Sequence, residues 1–245
     1  MEKQVTIKGI HLSYYESGVG YSLLFLHGGR LRAQTFGKTL HEISKNYHVI
    51  APDIPGYGNS STPKELWSFK EYAEFFIVFI EYLKIKEIII VGYSLGGGIA
   101  YTIASMSKKV KKLILIDSAG IEKASDNELK RDINRCMFYL MHPSYFPTFF
   151  TLIKEWTLFH LKHLWRRDNI DDIRMYLGNS HQYLENIHAF TIIIWAKNDS
   201  IFPLKIAERL KRLINNSTLL VVDGDHDWVL YDQNKFVGYL HKAMK

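Results

Sequence analysis

The chain has few cysteines, no dense block of basic residues and no long apolar run, and each of these features is typical of a particular class of protein. Of its 245 residues one is a cysteine, Cys136, so no disulfide bond can form within the chain. The 31 basic and 25 acidic residues are spread out, and this pattern does not favour binding to nucleic acid. The longest apolar run, residues 75–80, is far too short to span a bilayer, and the N-terminus lacks the apolar centre of a signal peptide. We therefore expect a cytoplasmic protein.

Short β-branched runs alternate with helix-forming segments along most of the chain. Residues 5–7 and 11–15 alternate in polarity as an antiparallel hairpin does. Six further strands are predicted, at residues 22–26, 48–51, 88–91, 112–116, 190–195 and 219–222. Helices are predicted from a capping box at Ser68 and Glu71 to Leu83, over residues 94–106 and 228–243, and from Pro203 to Ile214. This alternation predicts an α/β fold with a mostly parallel central sheet and helices on both faces.

One long segment interrupts the alternation. Residues 120–186 contain no convincing buried strand and are rich in aromatic side chains. We interpret this segment as a helical cap inserted over the strand ends, so that residues 1–119 and 187–245 form the core. The aromatic residues of the segment include Phe138, Tyr139, Tyr145, Phe146, Phe149, Phe150, Trp156, Phe159 and Trp165.

The most informative stretch is the pentapeptide Gly92-Tyr93-Ser94-Leu95-Gly96, which lies between a predicted buried strand and a predicted helix. A serine on such a tight turn is pushed clear of the sheet, and a glycine two residues to either side lets strand and helix crowd together. The start of the helix also favours negative charge at that point. This arrangement resembles the nucleophile elbow of the α/β-hydrolase superfamily.

The resemblance implies a catalytic triad in the chain order nucleophile, acid, histidine. Ser94, Asp199 and His226 occur in that order, and each follows the C-terminal end of a predicted strand, where open α/β sheets bind ligands. His226 would accept the proton of Ser94, and Asp199 would orient the imidazole and stabilise its charged form. Asp117, one strand earlier, is a rival for the acid.

Other carboxylates crowd the predicted histidine in sequence. Asp223, Asp225 and Asp227 lie too close to His226 along the chain to orient its ring, but they can affect its pKa. The alternative interpretation of Asp199 is a helix N-cap.

Two backbone N–H groups are predicted to stabilise the oxyanion of the tetrahedral intermediate. One is that of Leu95, directly after the nucleophile, and the other is that of Gly29 in the sequence His27-Gly28-Gly29. His27 itself is expected to brace this loop. Arg30 departs from the superfamily pattern, in which a small or apolar residue is common at this place. Residues 53–60 resemble a Pro-Gly-x-Gly-x-Ser loop that packs near the site.

The sequence thus predicts a cap-containing serine hydrolase that cleaves a carboxylic ester, or a related acyl compound, with a hydrophobic portion. A carbon–carbon bond hydrolase or lyase of the same fold and a non-catalytic ligand-binding protein remain alternatives. No cluster of metal ligands and no phosphate-binding loop is present in the sequence, so we expect no cofactor. Lys162, Arg166 and Arg167 form a basic cluster that is either a solvated helix face or a site for a carboxylate or an acidic acyl carrier.

Overall fold

A single eight-stranded sheet forms the centre of the protein. A computed structural model describes residues 1–121, 128–164 and 181–244 of the chain. The strands are β1 (Glu2–Ile7), β2 (Ile10–Ser17), β3 (Ser22–Leu26), β4 (His48–Pro52), β5 (Ile88–Tyr93), β6 (Val110–Ile116), β7 (Phe190–Ala196) and β8 (Ser217–Val222). Their order is β1-β2-β4-β3-β5-β6-β7-β8, with β2 antiparallel to both of its neighbours and every other pair parallel. The predicted α/β class and the N-terminal hairpin are therefore confirmed.

Helices cover both faces of this sheet. In the described residues they are α1 (Gly37–Ile43), α2 (Phe69–Tyr82), α3 (Leu95–Met106), α4 (Glu128–Met141), α5 (Phe146–Lys162), α6 (His181–Leu184), α7 (Lys205–Leu213), α8 (Trp228–Tyr231) and α9 (Gln233–Met244). One apolar core contains side chains of α2, α3 and α7, and a second core on the other face contains side chains of α1 and α9. Strand β5 lies between them and is buried along its whole length, as its continuous apolar sequence predicted.

Some predicted helix bounds were wrong. Helix α7 begins at Lys205, because the carbonyl group of Pro203 already accepts a hydrogen bond from the Ile206 N–H in a turn that precedes the helix. The predicted closing helix is divided at Asp232, whose backbone leaves the helical region. Helix α1 was not predicted, although its buried face contains Leu40 and Ile43.

Helices α4 and α5 lie within the segment that we interpret as a cap. Helix α5 is attached to the core by an ion pair between Glu155 and Arg32, with 3.0 Å between Oε1 and Nε. The bounds of the cap at residues 120 and 186 stay a prediction. Within the described parts of the chain, no helix has the length and apolar character that crossing a membrane requires.

Candidate active site

Ser94 lies on the strained turn between β5 and α3. Its backbone has φ 51° and ψ −117°, a conformation that non-glycine residues rarely adopt. A Cβ atom at Gly92 would lie 2.5 Å from the carbonyl oxygen of Gly96, and one at Gly96 would lie 2.2 Å from that of Leu26. Both glycines are thus required by the close approach of strand and helix, as the sequence predicted.

The structure brings the three predicted side chains together. His226 Nε2 lies 3.1 Å from Ser94 Oγ, and His226 Nδ1 lies 2.7 Å from Asp199 Oδ2. Because a carboxylate only accepts hydrogen bonds, Nδ1 is assigned the proton and Nε2 is left to accept the hydroxyl proton of Ser94. All three residues are buried. The order Ser–His–Asp needed for proton transfer is therefore in place.

Asp199 contacts the imidazole but is not the helix N-cap that the sequence offered as an alternative, because the N-cap of α7 is Leu204. While Oδ2 faces the imidazole, Oδ1 accepts hydrogen bonds from the backbone N–H groups of Ile201 and Phe202, each at 2.8 Å. These bonds fix the carboxylate in the loop after β7.

Asp117, the rival acid, has its two oxygens occupied elsewhere. Ala196 N–H donates to Oδ1 at 2.7 Å, and Trp228 Nε1–H donates to Oδ2 at 2.8 Å. Burial, followed by the charge of Asp199, holds the pKa of Asp117 well above its usual range. Its carboxyl group therefore joins β7 to α8 and does not orient the His226 ring.

The titration of the site depends on carboxylates near the imidazole. Burial alone would lower the pKa of His226, but the charge and hydrogen bond of Asp199 outweigh burial and raise this pKa above its ordinary value. Burial, followed by the charge of Asp227, raises the pKa of Asp225 to about 6. Asp225 Oδ1 accepts a hydrogen bond from the Asp227 N–H at 2.9 Å.

The two predicted oxyanion donors border Ser94. Leu95 is the first residue of α3, and Gly29 lines the same cavity as Ser94. Within the described residues, neither N–H donates to another protein group. A Cβ atom at Gly28 would lie 2.9 Å from the Tyr93 ring and 3.3 Å from Ser94 Cβ, so the Gly28–Gly29 loop packs directly against the elbow.

His27 braces this loop, as the sequence predicted. The Ile54 N–H donates to His27 Nε2 at 3.0 Å, so Nδ1 is assigned the proton and donates to the Gly28 carbonyl at 2.7 Å. Asp53 in turn accepts hydrogen bonds from Ala33 and Asn59 N–H groups. The loop of residues 53–60 therefore supports the backbone that carries Gly29.

A cavity of about 690 Å³ opens next to Ser94 and His226. Its walls combine residues of the core with side chains of α4 and α5. Among the aromatic residues predicted to be a cap, Phe138 and Trp156 line it, Tyr139 and Phe159 are buried, and Phe150 is exposed. The described residues contain no group of three or more His, Cys, Asp or Glu side chains that could hold a metal ion.

Lys162, the one residue of the predicted basic cluster that the structure describes, contacts the core loop. The ammonium group of Lys162 donates to the backbone carbonyls of Tyr57, Gly58 and Ser60, which attaches the end of α5 to the core loop. Lys162 as a whole is exposed, and a carboxylate or acidic acyl carrier at this cluster stays a prediction. Arg166 and Arg167 lie outside the described residues, as does Trp165.

Arg30, the departure noted in the sequence, lines the cavity and has φ 61°. A backbone conformation that favours glycine is thus occupied by a long cationic side chain beside the site.

Two further contacts were missed by the sequence analysis. Tyr93 Oη donates to the His226 carbonyl oxygen at 2.8 Å, and Arg135 of α4 pairs with Asp227, the residue after His226. Tyr93 precedes the nucleophile directly, but no local pattern signals either contact, because each joins distant parts of the chain.

Known proteins with similar sequence or structure agree with this architecture. The family model described as alpha/beta hydrolase fold matches residues 21–136. The uncharacterized hydrolase YugF of Bacillus subtilis is 25% identical, and the match covers 89% of this chain and 88% of that protein.

Two solved structures have lower identity and show the fold alone. A meta-cleavage product hydrolase from Pseudomonas fluorescens is 21% identical, with TM-score 0.77 and coverage of 99% of this chain and 97% of that chain. A thermophilic esterase from Thermogutta terrifontis is 19% identical, with TM-score 0.74 and the same coverage. The chain therefore has the α/β-hydrolase fold, and the proteins that it resembles in sequence and structure include hydrolases.

Proposed function

We propose that the protein is a serine hydrolase that cleaves a carboxylic ester, or a related acyl compound, through an acyl-enzyme. The observation that carries this proposal is the chain of contacts from Ser94 Oγ to His226 at 3.1 Å and from His226 to Asp199 at 2.7 Å, at the wall of the cavity. A serine hydroxyl is a weak nucleophile unless a base within hydrogen-bond reach accepts its proton, and this geometry provides that base.

In the first half of the reaction, Ser94 Oγ attacks the acyl carbon while His226 Nε2 accepts the hydroxyl proton. The developing oxyanion accepts hydrogen bonds from the N–H groups of Gly29 and Leu95, and one such donor typically contributes about 3 kcal/mol. His226 then gives the proton to the leaving alcohol, and the acyl group stays on Ser94. In the second half, water replaces the alcohol and releases the acid by the same proton transfers.

The cavity supports a substrate with a hydrophobic portion. Its apolar wall includes Leu31 from the core, Phe138 from α4, and Leu152 and Trp156 from α5. Binding sites of this kind place a few polar groups within a mostly apolar surface, so the acyl or alcohol chain would lie against these side chains.

The second candidate is hydrolysis of a carbon–carbon bond. It is favoured by the likeness in fold to a meta-cleavage product hydrolase over nearly the whole of both chains. The same serine, histidine and aspartate would serve both reactions, so only substrates distinguish the two. A non-catalytic ligand-binding protein is the third possibility.

The test is hydrolysis of a series of p-nitrophenyl esters by the wild type and by Ser94→Ala. The variant should lose roughly 10⁶-fold in kcat, because without its nucleophile the triad contributes nothing. Equal rates in both proteins would rule out the esterase. Activity on a vinylogous 1,5-diketone with none on esters would favour carbon–carbon cleavage, and activity on neither would favour a binding protein.

A further inference from the structure

The turn that carries the histidine is held from three directions. The His226 carbonyl accepts the hydrogen bond of Tyr93 from β5, and the Trp228 indole donates to Asp117 after β6. Asp227, between them, is bound by Arg135. The first two contacts come from the sheet, whereas the third comes from a helix over the cavity.

The contact between Arg135 and Asp227 is a two-point ion pair. Arg135 Nε and Nη2 donate to the two oxygens of Asp227 at 2.5 and 2.7 Å, and Tyr139 Oη, from the same helix, lies 3.4 Å from Oδ2. The Asp227 side chain is 4% exposed and that of Arg135 is 35% exposed. Two parallel hydrogen bonds fix both the distance and the orientation of a carboxylate, which a single contact does not.

The pair also balances charge around the imidazole. The groups that face His226 are Asp225 and Asp227 from its own loop, and Asp199, Asp117 and the Tyr93 ring from the elements packed against it. Arg135 and Tyr139 of α4 contact Asp227. Within the described residues Arg135 is the cation paired with Asp227. Without it, a buried carboxylate would be left uncompensated one residue from His226.

From these contacts we infer that Arg135 is a positioning residue, which acts through Asp227 to hold His226 in line with Ser94 when α4 is docked on the core. This inference rests on the proposed function, since it concerns the same reaction. If Arg135 has this role, His226 can act as the base only when α4 lies over the cavity.

The test measures the rate at which a small neutral fluorophosphonate labels Ser94, as a function of pH. Loss of Arg135 exposes His226 to the negative charge of Asp227, so the imidazole holds its proton to higher pH and less of it is available as a base. Arg135→Met should therefore move the acidic midpoint of labelling up by about one pH unit. The rate on the plateau should fall by up to about 100-fold as the ring loses its alignment.

Three further variants make the result specific. Asp227→Asn removes the negative charge, so the midpoint should move down instead. Arg135→Lys keeps a cation without the two-point geometry, so the midpoint should return toward that of the wild type while the plateau stays low. Glu155→Gln is the matched control, because it breaks a different ion pair between α5 and the core and does not line the cavity. Its midpoint should stay unchanged.

Circular dichroism shows whether each variant is folded, and if Arg135→Met is not, Arg135→Lys and Asp227→Asn carry the test. The inference alone is overturned if the midpoint of Arg135→Met equals that of Glu155→Gln, if the plateau of Arg135→Lys equals that of the wild type, or if the midpoint of Asp227→Asn does not move down. If the wild type is labelled no faster than Ser94→Ala, the proposed function falls and the inference falls with it.

Discussion

Two buried carboxylates near the site show how the contacts of single oxygen atoms decide a residue's role. Asp199 has one oxygen on backbone N–H groups and the other on the imidazole, whereas both oxygens of Asp117 are engaged by Ala196 and Trp228. Both aspartates follow parallel strands at the same edge of the sheet. Their burial is similar, so the difference arises from which donors each oxygen meets.

This difference predicts separate effects of replacing each carboxyl group by an amide. Asp199→Asn should lower kcat by about 10⁴, because an amide no longer selects the Nδ1–H form of His226 or stabilises its protonated form. Asp117→Asn should leave kcat within about tenfold but lower the free energy of unfolding by about 1–3 kcal/mol, because an amide NH₂ would face an N–H donor. Ester hydrolysis and urea unfolding measure the two effects. The opposite result, with catalysis lost in Asp117→Asn and kept in Asp199→Asn, would make Asp117 the acid.

At the scale of elements, the site depends on how closely β5, β3 and α3 approach one another. A Cβ atom at Gly96 would overlap the end of β3, and a Cβ atom at Gly92 would overlap α3. The short distance between these elements leaves Ser94, the proposed nucleophile, on a strained turn that the surrounding packing holds in place.

Gly96→Ala should therefore lower the free energy of unfolding by about 3 kcal/mol and reduce activity in the fraction that folds. Gly238→Ala is the matched control, since Gly238 lies in the exposed face of α9 and a Cβ atom there meets nothing within 4 Å. It should raise the free energy of unfolding by about 0.4–1 kcal/mol. Urea unfolding of both variants measures the contrast, and equal effects would show that crowding at the elbow is not the constraint.

At the scale of the whole molecule, the site exists only where two parts of the chain meet. The triad lies at the C-terminal edge of the sheet, while much of the apolar cavity wall belongs to α4 and α5. In the proposed reaction, chemistry and substrate selection therefore come from different parts of the chain. The ion pairs Arg135–Asp227 and Arg32–Glu155 join those parts.

The cavity wall should decide the preference for chain length. In the wild type, kcat/KM should rise by about fourfold for each added methylene until the cavity is filled, because each buried methylene contributes about 0.8 kcal/mol. Trp156→Ala should lower kcat/KM for long-chain p-nitrophenyl esters by about tenfold and change that of the acetate little. Phe150→Ala, on the exposed face of the same helix and away from the cavity, is the control. A profile unchanged by Trp156→Ala would exclude this wall as the acyl site.

The sequence determined the features that depend on neighbours along the chain. Alternating polarity predicted the two strands of the N-terminal hairpin, short apolar runs predicted the other six, and two glycines around a serine predicted the elbow. The positions of Ser94, Asp199 and His226 just past strand ends followed from the same pattern, because the ends of parallel strands meet at one edge. Helix bounds were less predictable, as Pro203 and Asp232 show, because turns next to helix ends have similar local preferences.

Only the tertiary structure decided what distant side chains do to one another. It turned Asp117 away from the imidazole, tied Lys162 to three backbone carbonyls, and paired Asp227 with Arg135, which is 92 residues earlier in the chain. The sequence shows that a side chain is charged but not which group it contacts. Its partner depends on which elements pack together, and that packing depends on the apolar surfaces of the whole chain.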